Sequence, residues 1–346
     1  MSPDALSPRQ IQECVLKGLR QSGRAAVTVL ARFSGAINDV YRVAVDDAEY
    51  CLRIRSRAGS FMYEKNFLKE PVIWQFLSHT QEDHGEANEQ LLDRLIGSAA
   101  NSGTGGPFTC SLCPELIFYD RSLATFPFLW TLQEWAPGVP LDMEGTDDRY
   151  RDFGRTMALL HKAKFRSFKS TFLAPWQPHN EWLALHVDAV NQFCRDVSLA
   201  PNIAPILQRL AGTSLVFSLI HNDSQPMNAI SHGGKVVLID WDNAQIAPAE
   251  LDLAKIMYWT RRDADGFLSQ DETLFNEFCD SYVNEGGIAI NNDLLQFCRI
   301  LWLTRIITFE RIRARAGHKH KAPFHDAAFY ESILRSTLLE LNRCGR

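Results

Sequence analysis

The sequence predicts an α+β protein whose N-terminal part is rich in antiparallel strands and whose C-terminal part is mainly helical. Short segments of alternating polarity follow one another from about residue 27, whereas apolar residues recur at helical spacing beyond about residue 145. The chain has 346 residues, well beyond the roughly 100–150 of a typical domain, which favours one large unit or two lobes. We predict an N-terminal lobe over residues 1–135 and a C-terminal lobe over residues 136–346.

The first N-terminal elements are one helix and three strands. Residues 7–22 begin with a Ser-Pro cap signal and place Ile11, Val15 and Leu19 on one face, which predicts an amphipathic helix. The segments that follow alternate in polarity and are separated by short polar turns, so we predict antiparallel strands. They are VTVLARF, DVYRVAV and EYCLRIRS.

The rest of this lobe is predicted to hold a helix, an insertion and two more strands. Helical spacing returns from Tyr63 to Leu77, with Pro71 marking a start or a kink. Residues 79–109 are polar and acidic, include one short helical pattern, and are interpreted as an inserted surface excursion. The segments PELIFYD and LWTLQEW complete a predicted five-stranded sheet.

Helical patterns dominate the C-terminal lobe, apart from two apolar strands. The strands, LVFSLI and VVLID, flank the polar stretch HNDSQPMNAI. The helical patterns are YRDFGRTMALLHKA, HNEWLALHVDAVNQFCRDV, AELDLAKIMYWTRR and the apolar series from Leu294 to Phe309.

Composition and charge exclude several classes of function. Apolar residues make up 46% and charged residues 22% of the chain, the balance of an ordinary globular protein. The net charge of −5 gives no field that would attract nucleic acid. No segment offers about 18 uninterrupted apolar residues, and the N-terminus lacks a secretory pattern. We therefore expect a cytoplasmic protein with neither a nucleic acid nor a membrane as partner.

The eight cysteines are scattered without a disulfide framework and are interpreted as reduced thiols. Cys110 and Cys113 form a C-x-x-C, which is half of a zinc site, but no second pair stands at a suitable spacing. An incidental loop pair is the favoured interpretation.

The stretch HNDSQPMNAI concentrates polar side chains directly after an apolar strand. Asp223 and Asn228 are five residues apart, and Asp240 ends the second strand. We expect a hairpin at HGGK to bring the two strand ends together, so that these three side chains converge. Two carboxylates and an amide oxygen suit Mg²⁺ bound with a nucleotide. A carboxylate free of the metal can orient an attacking hydroxyl and accept its proton.

The spacing of these residues matches kinase motifs. His221-x-Asp223 followed by Asn228 is the pattern of a kinase catalytic loop, and Ile239-Asp240-Trp241 stands where kinases have Asp-Phe-Gly. The sequence here resembles the aminoglycoside phosphotransferase family over about residues 28–260. The resemblance implies a protein-kinase-like two-lobed fold and an ATP-dependent small-molecule kinase. It also implies Asp223 as catalytic base, with Asn228 and Asp240 holding Mg²⁺.

The N-terminal lobe carries further matches to the same family. The segment FSGAINDVYRV, with Ser34, Gly35 and Asn38, resembles the family's turn over the nucleotide phosphates. Arg53 stands in the position of the phosphate-contacting lysine on the third strand, and Glu70 matches the helix glutamate that pairs with that cation. These residues are implied to fix the triphosphate of ATP.

The segment LQEWAPGVPL resembles the family's hinge, and the resemblance implies that adenine binds there. The backbone from Glu134 to Ala136 would hydrogen-bond adenine. The chain departs from the family at three positions. Asn222 replaces the usual glycine of the catalytic loop, Gly35 is the sole glycine of the phosphate turn, and Arg53 stands in for lysine. An arginine can still bind phosphates through its bidentate fork.

Other polar residues near the motifs receive structural interpretations. His221 and His161 are expected to be packed, hydrogen-bonded supports. Asp242 is interpreted as a solvated or loop-bonding neighbour of the metal site. The resemblance implies that Asp252 bonds the backbone of the catalytic loop.

No motif in the sequence identifies the molecule that accepts the phosphate. We expect a hydroxyl of a small molecule, an aminoglycoside or another amine-bearing sugar or alcohol, with choline, homoserine and methylthioribose as alternatives. Glu250 and Asp263 are candidates to meet a cationic acceptor, and equally candidates for surface or cap positions. The oligomeric state is not predicted.

Two other classes of function stay open. One is a nucleotide-binding regulator without catalysis, a pseudokinase, which Asn222 and the sparse glycines of the turn favour. The other is a metal hydrolase with His221, Asp223 and Asp240 as metal ligands.

Overall fold

The computed structural model describes residues 6–20, 25–34, 38–55, 67–79, 85–124, 126–196, 203–317 and 323–344. The chain forms two compact units. The first comprises Met1–Gln81, Glu86–Gly138 and Val237–Asn243, and the second comprises Glu82–Gly85, Val139–Val236 and Ala244–Arg346. Asp240 therefore belongs to the first unit, whereas Asp223 and Asn228 belong to the second.

The first unit is built on an antiparallel sheet of seven strands, in the order β1-β2-β3-β7-β6-β4 with β5 beside β6. Long strands alternate buried and half-buried residues, as β2 does, because one face of the sheet covers the core. The strands are β1 (Val27–Ser34), β2 (Asn38–Val45), β3 (Ala48–Arg55), β4 (Thr104–Gly105), β5 (Phe108–Cys110), β6 (Cys113–Asp120) and β7 (Leu129–Glu134).

Helix α1 (Pro8–Gly18) covers one face of this sheet. Its start has the predicted cap, since the Ser7 side chain and Gln10 form a capping box and Pro8 occupies the first turn. Ile11 and Val15 are buried against the sheet core. The approach is close, because a Cβ on Gly18 would lie 2.6 Å from a side-chain carbon of Leu132.

Two more helices follow β3, namely α2 (Lys69–His79) and α3 (Gly85–Asn101). Pro71 lies in the first turn of α2, where its missing N–H costs no helical hydrogen bond. The prediction that residues 79–109 form a surface excursion is wrong. The described part of this segment forms α3, which buries Leu92 and Ala99, and then adds β4 and β5 to the sheet. The sheet therefore has seven strands instead of the five predicted.

Helices make up most of the second unit, as predicted. Helices α4 and α8 pack so closely that a Cβ on Gly154 would lie 2.4 Å from the carbonyl oxygen of Phe278. The helices are α4 (Asp147–His161), α5 (His179–Asp196), α6 (Ala204–Leu210), α7 (Glu250–Tyr258), α8 (Glu272–Asn284), α9 (Asn292–Arg315) and α10 (Ala327–Cys344).

Short strands flank these helices. They are β8 (Val139–Pro140), β9 (Lys164–Phe165), β10 (Ser167–Lys169), β11 (Trp176–Pro178), β12 (Phe217–Ile220), β13 (Ala229–His232), β14 (Lys235–Leu238), β15 (Gln245–Ala247), β16 (Arg261–Arg262) and β17 (Leu268–Ser269). The predicted hairpin at HGGK joins β13 to β14, and both of its glycines have positive φ. The strand before the polar stretch, β12, pairs instead with β15 and β9.

None of the described helices combines the length and the apolar character that crossing a membrane requires.

Candidate active site

A buried carboxylate from α7 holds the loop that follows β12. Asp252 is fully buried, and its Oδ2 accepts the backbone N–H of His221 at 2.8 Å. Its Oδ1 accepts the N–H of Asn222 at 2.7 Å and the hydroxyl of Ser224 at 3.0 Å. The His161 ring lies 3.3 Å from Oδ2. Asp252 thus bonds the loop backbone, which is the role that the resemblance implied.

The surroundings of Asp252 favour its ionised form. Burial by itself would raise the pKa of Asp252, but the hydrogen bond with His161 and the electrostatic effects of His161, His221 and Lys255 bring that pKa below its ordinary value. A charged acceptor makes stronger hydrogen bonds than a neutral one, so the loop is held firmly.

Asn222 departs from the family's glycine without a conflict in the backbone. Its φ is 55°, in the left-handed region where glycine carries no penalty and asparagine is among the best-tolerated other residues. Its carbonyl oxygen accepts a hydrogen bond from the Lys255 side chain. The loop geometry therefore explains why the family favours glycine and why asparagine suffices here.

Asp223 projects from this loop within a set of side-chain donors. The Asn228 amide lies 3.3 Å from its Oδ2 and the Gln225 amide 3.4 Å from the same oxygen. The Lys255 amine lies 3.3 Å from its Oδ1. The backbone N–H of Asp223 donates to Nδ1 of the buried His221 at 3.3 Å. His221 is therefore a buried support, as predicted.

The segment that carries Asp240 is anchored by its neighbour Trp241. Trp241 is fully buried, meets Trp74 edge-on with 6.1 Å between ring centroids, and donates to the carbonyl of Leu238 at 3.2 Å. Asp240 itself has a φ of 62°, and 48% of its side chain is exposed. The buried indole thus fixes the segment and leaves the Asp240 carboxylate at the surface.

Arg53 connects three carboxylates within the first unit. One of its terminal nitrogens pairs with Glu70 of α2. The other lies 2.7 Å from Asp240 and 3.0 Å from Asp242. A planar guanidinium with five donors can bond several carboxylates at once, which the single ammonium of lysine does less well. Three of the predicted site residues, Arg53, Glu70 and Asp240, are brought together here.

The prediction that Asp242 is a solvated neighbour of the metal site is wrong, because its carboxylate is buried and forms ion pairs. Both of its oxygens lie 2.8 Å from the Arg55 guanidinium, and the Asn38 amide donates to it at 3.1 Å. The Lys69 amine donates to its backbone carbonyl at 2.6 Å. Sequence reasoning missed Arg55, although Arg53 and Arg55 are two apart on a strand and so share a face.

Burial shifts several pKa values in this cluster. It raises the pKa of Glu70 to about 7 despite the pairing with Arg53. It would lower the pKa of Arg53, but the surrounding carboxylates raise it instead. It would raise the pKa of Asp242, but Arg53 and Arg55 hold it below the ordinary value. Burial lowers the pKa of Lys69 to about 8.

The predicted phosphate turn and hinge are described in part. The backbone of Ser34 ends β1 opposite Asp39, while its side chain and Gly35 lie outside the described residues. Glu134 is exposed and ends β7, with Ala136 two residues further on.

The candidate metal ligands are oxygen donors in different units. Within the described ranges, no group of three or more His, Cys, Asp or Glu side chains is arranged to hold a metal ion. Asn228 offers an amide oxygen in the second unit, and Asp240 offers a carboxylate in the first.

Comparison with family models decides the class of the protein. The model of the phosphotransferase enzyme family, APH, matches residues 28–276. The chain belongs to this phosphotransferase enzyme family. Membership confirms the prediction of a phosphotransferase that acts as a small-molecule kinase.

Solved structures show that the phosphotransferase has the predicted kinase-like fold. The aminoglycoside phosphotransferase APH(4)-Ia aligns with a TM-score of 0.60 at 13% identity, over 96% of this chain and 98% of that chain. A thermostable mutant of APH(4)-Ia, in a ternary complex with ADP and hygromycin B, aligns with a TM-score of 0.59 at 12% identity, over 95% and 98%. A choline/ethanolamine kinase family protein from Mesorhizobium loti aligns with a TM-score of 0.51 at 13% identity, over 97% and 94%.

No curated protein matches the chain at a significant level.

Proposed function

We propose that this phosphotransferase transfers the γ-phosphate of ATP to a hydroxyl group of a small molecule. The family match supports the reaction class. The observation that carries the nucleotide dependence is the Arg53 guanidinium, which bonds Glu70 on one side and Asp240 on the other. A cation fixed by a helix glutamate beside a metal-binding aspartate is the part of a kinase site that positions phosphates.

Asp223 acts as the catalytic base in this proposal. Its two carboxylate oxygens are oriented by the amides of Asn228 and Gln225 and by the amine of Lys255. About one fifth of the side chain, 18%, is exposed, so an acceptor hydroxyl can reach it. The carboxylate would orient that hydroxyl for in-line attack and accept its proton.

Asn228 and Asp240 are the proposed Mg²⁺ ligands, and each offers the hard oxygen that this ion prefers. Asn228 uses its amide nitrogen to donate to the carbonyl of Asp223 at 3.0 Å, which reserves its amide oxygen for a cation. The Asp240 carboxylate is half-exposed, so a cation can bind it while Trp241 stays buried. When bound, Mg²⁺ would neutralise charge on the nucleotide phosphates.

Arg53 and Glu70 would hold the triphosphate. Glu70 keeps one side of the guanidinium in place and is itself bonded by the Gln133 amide at 3.1 Å. The other side is shared by Asp240 and Asp242, so phosphate oxygens can take over donors without loss of the Glu70 pair. Exchange of one anion for another at a fixed guanidinium needs little rearrangement of the chain.

The adenine contact is proposed at Ala136. The N–H of the preceding Trp135 already donates to the carbonyl of Glu49 at 3.0 Å. The backbone of Ala136 bonds no other backbone group among the described residues, so its N–H can donate to adenine. Glu134, Ser34 and Gly35 keep their proposed places in the hinge and the phosphate turn.

An aminoglycoside or another amine-bearing sugar or alcohol is the proposed acceptor, with choline-like, homoserine-like or methylthioribose-like metabolites as alternatives. A relative in the same fold binds hygromycin B, and another belongs to the choline/ethanolamine kinase family. The two acidic candidates do not add support. Glu250 is buried and accepts the N–H of Asn291 at 3.1 Å, and Asp263 accepts the N–H of Phe267 at 2.8 Å within its own turn.

A panel of hydroxyl acceptors tests this proposal. Purified protein is incubated with ATP and Mg²⁺, and acceptor-stimulated ADP release is measured for aminoglycosides, choline, ethanolamine, homoserine and ribose derivatives. The matched control is Asp223→Asn, which keeps the side-chain size and removes the base. We expect stimulation by at least one amine-bearing acceptor and its loss in the variant.

Two outcomes would contradict the proposal. ATP binding without stimulated turnover, unchanged by Asp223→Asn, would favour the regulator. Absence of nucleotide binding together with copurified zinc, iron or manganese would favour the hydrolase.

A further inference from the structure

The hairpin between β5 and β6 places two cysteines opposite each other. Cys110 ends β5, Cys113 begins β6, and the two are cross-strand partners. Facing residues of antiparallel strands have Cα atoms about 4.5–5.5 Å apart. That separation lies within the roughly 4.4–6.8 Å that a disulfide spans. Both cysteines carry free thiols.

The two thiols differ in a way that suits stepwise oxidation. Cys110 is half-buried, whereas only 5% of Cys113 is exposed. The hydrogen bond from Cys113 lowers the pKa of the Cys110 thiol, and burial raises the pKa of Cys113 well above its ordinary value. By contrast, burial raises the pKa of Cys51 and of Cys279 to about 12. Cys110 therefore has the strongest thiolate character among these four thiols.

This hairpin directly supports the segment that carries Asp240. The carbonyl of Leu112, in the turn between the cysteines, accepts the backbone N–H of Leu238 at 2.8 Å. The Trp241 indole also lies near enough to the Cys113 thiol to lower the pKa of that thiol. A change in the covalent state of the hairpin therefore acts on Leu238, two residues before Asp240, and on Trp241, directly after it.

We propose that Cys110 and Cys113 form a reactive thiol pair that hydrogen peroxide closes to a disulfide, and that the segment 237–243 responds to this bond. The first part is independent of phosphoryl transfer. The functional consequence of the second part rests on the proposed function, because that segment carries the proposed Mg²⁺ ligand Asp240.

The chemistry balances with peroxide as the oxidant. The Cys110 thiolate attacks one peroxide oxygen, the O–O bond breaks, and a sulfenic acid forms while the departing hydroxide takes up a proton as water. The Cys113 sulfur then attacks the Cys110 sulfur, the S–O bond breaks, and a second water leaves. Two thiols and one peroxide thus become one disulfide and two waters.

The site is testable by peptide mapping, because one tryptic peptide, residues 95–121, contains both cysteines and no other. The folded protein is treated with one equivalent of hydrogen peroxide, alkylated, and digested with trypsin. We expect this peptide to lose two hydrogen atoms and to carry no alkyl group, and dithiothreitol to restore two alkylation sites.

Two variants and a control make the result specific. Cys110→Ser removes the bond, and Cys113→Ala leaves a sulfenic acid at Cys110 that dimedone traps. Cys279→Ser is the matched control and keeps the bond. A peptide that remains doubly alkylated, or Cys110 oxidised to sulfinic acid with both cysteines present and no bond formed, would overturn the proposal.

The response of the neighbouring segment is measured by hydrogen exchange. We compare reduced and oxidised protein and expect the exchange rate to shift over residues 235–243, where Leu238 bonds the hairpin, but not over α9. Equal rates over residues 235–243 would refute the coupling. Binding of AMP-PNP with Mg²⁺ to the reduced protein is measured separately, so that failure of the proposed function is distinguishable from failure of the thiol pair.

Discussion

Replacement of Asp252 by asparagine tests whether one buried carboxylate organises the catalytic loop. The two carboxylate oxygens of Asp252 each face two donors. Oδ1 accepts from Asn222 and Ser224, and Oδ2 lies within hydrogen-bond distance of His221 and His161. Asparagine has one oxygen, and its NH₂ group must face two of these donors. In either orientation that NH₂ group faces a backbone N–H, of His221 or of Asn222, which then loses its acceptor, whereas the Ser224 hydroxyl and the His161 ring can accept as well as donate.

The expected cost follows from this count. A hydrogen bond to a charged, buried acceptor contributes about 1.5–3 kcal/mol, and removal of one partner from a buried ionic network costs about 3–5 kcal/mol. We therefore expect Asp252→Asn to lower the free energy of unfolding by about 3–5 kcal/mol at pH 7. Turnover should fall as well, because Asp223 projects from the loop that Asp252 holds.

The assay is urea unfolding followed by fluorescence at several pH values. The pKa of Asp252 in the folded protein lies below its ordinary 3.8, so its ionised form stabilises the protein above that pH. This contribution is lost as the pH falls through the lower, folded value. The difference between the wild type and the variant should therefore shrink in acid.

The control is Asp263→Asn. Asp263 accepts two backbone N–H groups through a single oxygen, at 3.0 and 2.8 Å, and asparagine retains that oxygen. We expect a cost below about 1 kcal/mol. An equally small cost for Asp252→Asn at pH 7, or a difference that does not shrink in acid, would refute the reasoning.

Three further substitutions test other parts of the molecule. Arg53→Lys loses the guanidinium fork and should weaken ADP binding by about tenfold, measured by calorimetry; unchanged affinity would argue against a phosphate contact. Lys255→Met removes the amine 3.3 Å from Asp223 and should lower kcat by about tenfold with little change in KM for ATP, with partial rescue by arginine; a changed KM with unchanged kcat would contradict this positioning role. Gly154→Ala would place a Cβ 2.4 Å from a backbone carbonyl oxygen and should cost about 1–3 kcal/mol in unfolding experiments. Gly97→Ala, with nothing within 4 Å, is the control and should stabilise helix α3 by about 0.5–1 kcal/mol.

Regular elements with strong local signals were predictable. The three strands from Val27 to Arg55 and the cap at Ser7 lie within a residue or two of their predicted places, because periodicity and capping depend on neighbours in the chain. Residues 79–109 were misjudged for the opposite reason. Strands β4 and β5 have two and three residues, too few to show a period, and they exist because β6 offers them a partner.

Some residues of the candidate site were likewise predictable from the sequence, and others were not. Asp223, Asn228 and Asp240 stood out because their spacing matches a known motif, and their joint binding of one ion stays a prediction. Asp242 was misread, and Lys255 was not singled out. Two neighbouring aspartates look alike in sequence, but Asp240 is half-exposed whereas Asp242 is buried against Arg55.

The sequence alone therefore determined the α+β class, the positions of the main helices and strands, and the residue types able to carry phosphoryl transfer. The tertiary structure alone decided which charges pair, which strands are neighbours, and that Cys110 and Cys113 face each other across a hairpin turn. The physical reason is the separation along the chain over which each kind of interaction acts. Propensity, capping and periodicity act over a few residues, whereas burial and ion pairing depend on groups that only the folded chain brings together.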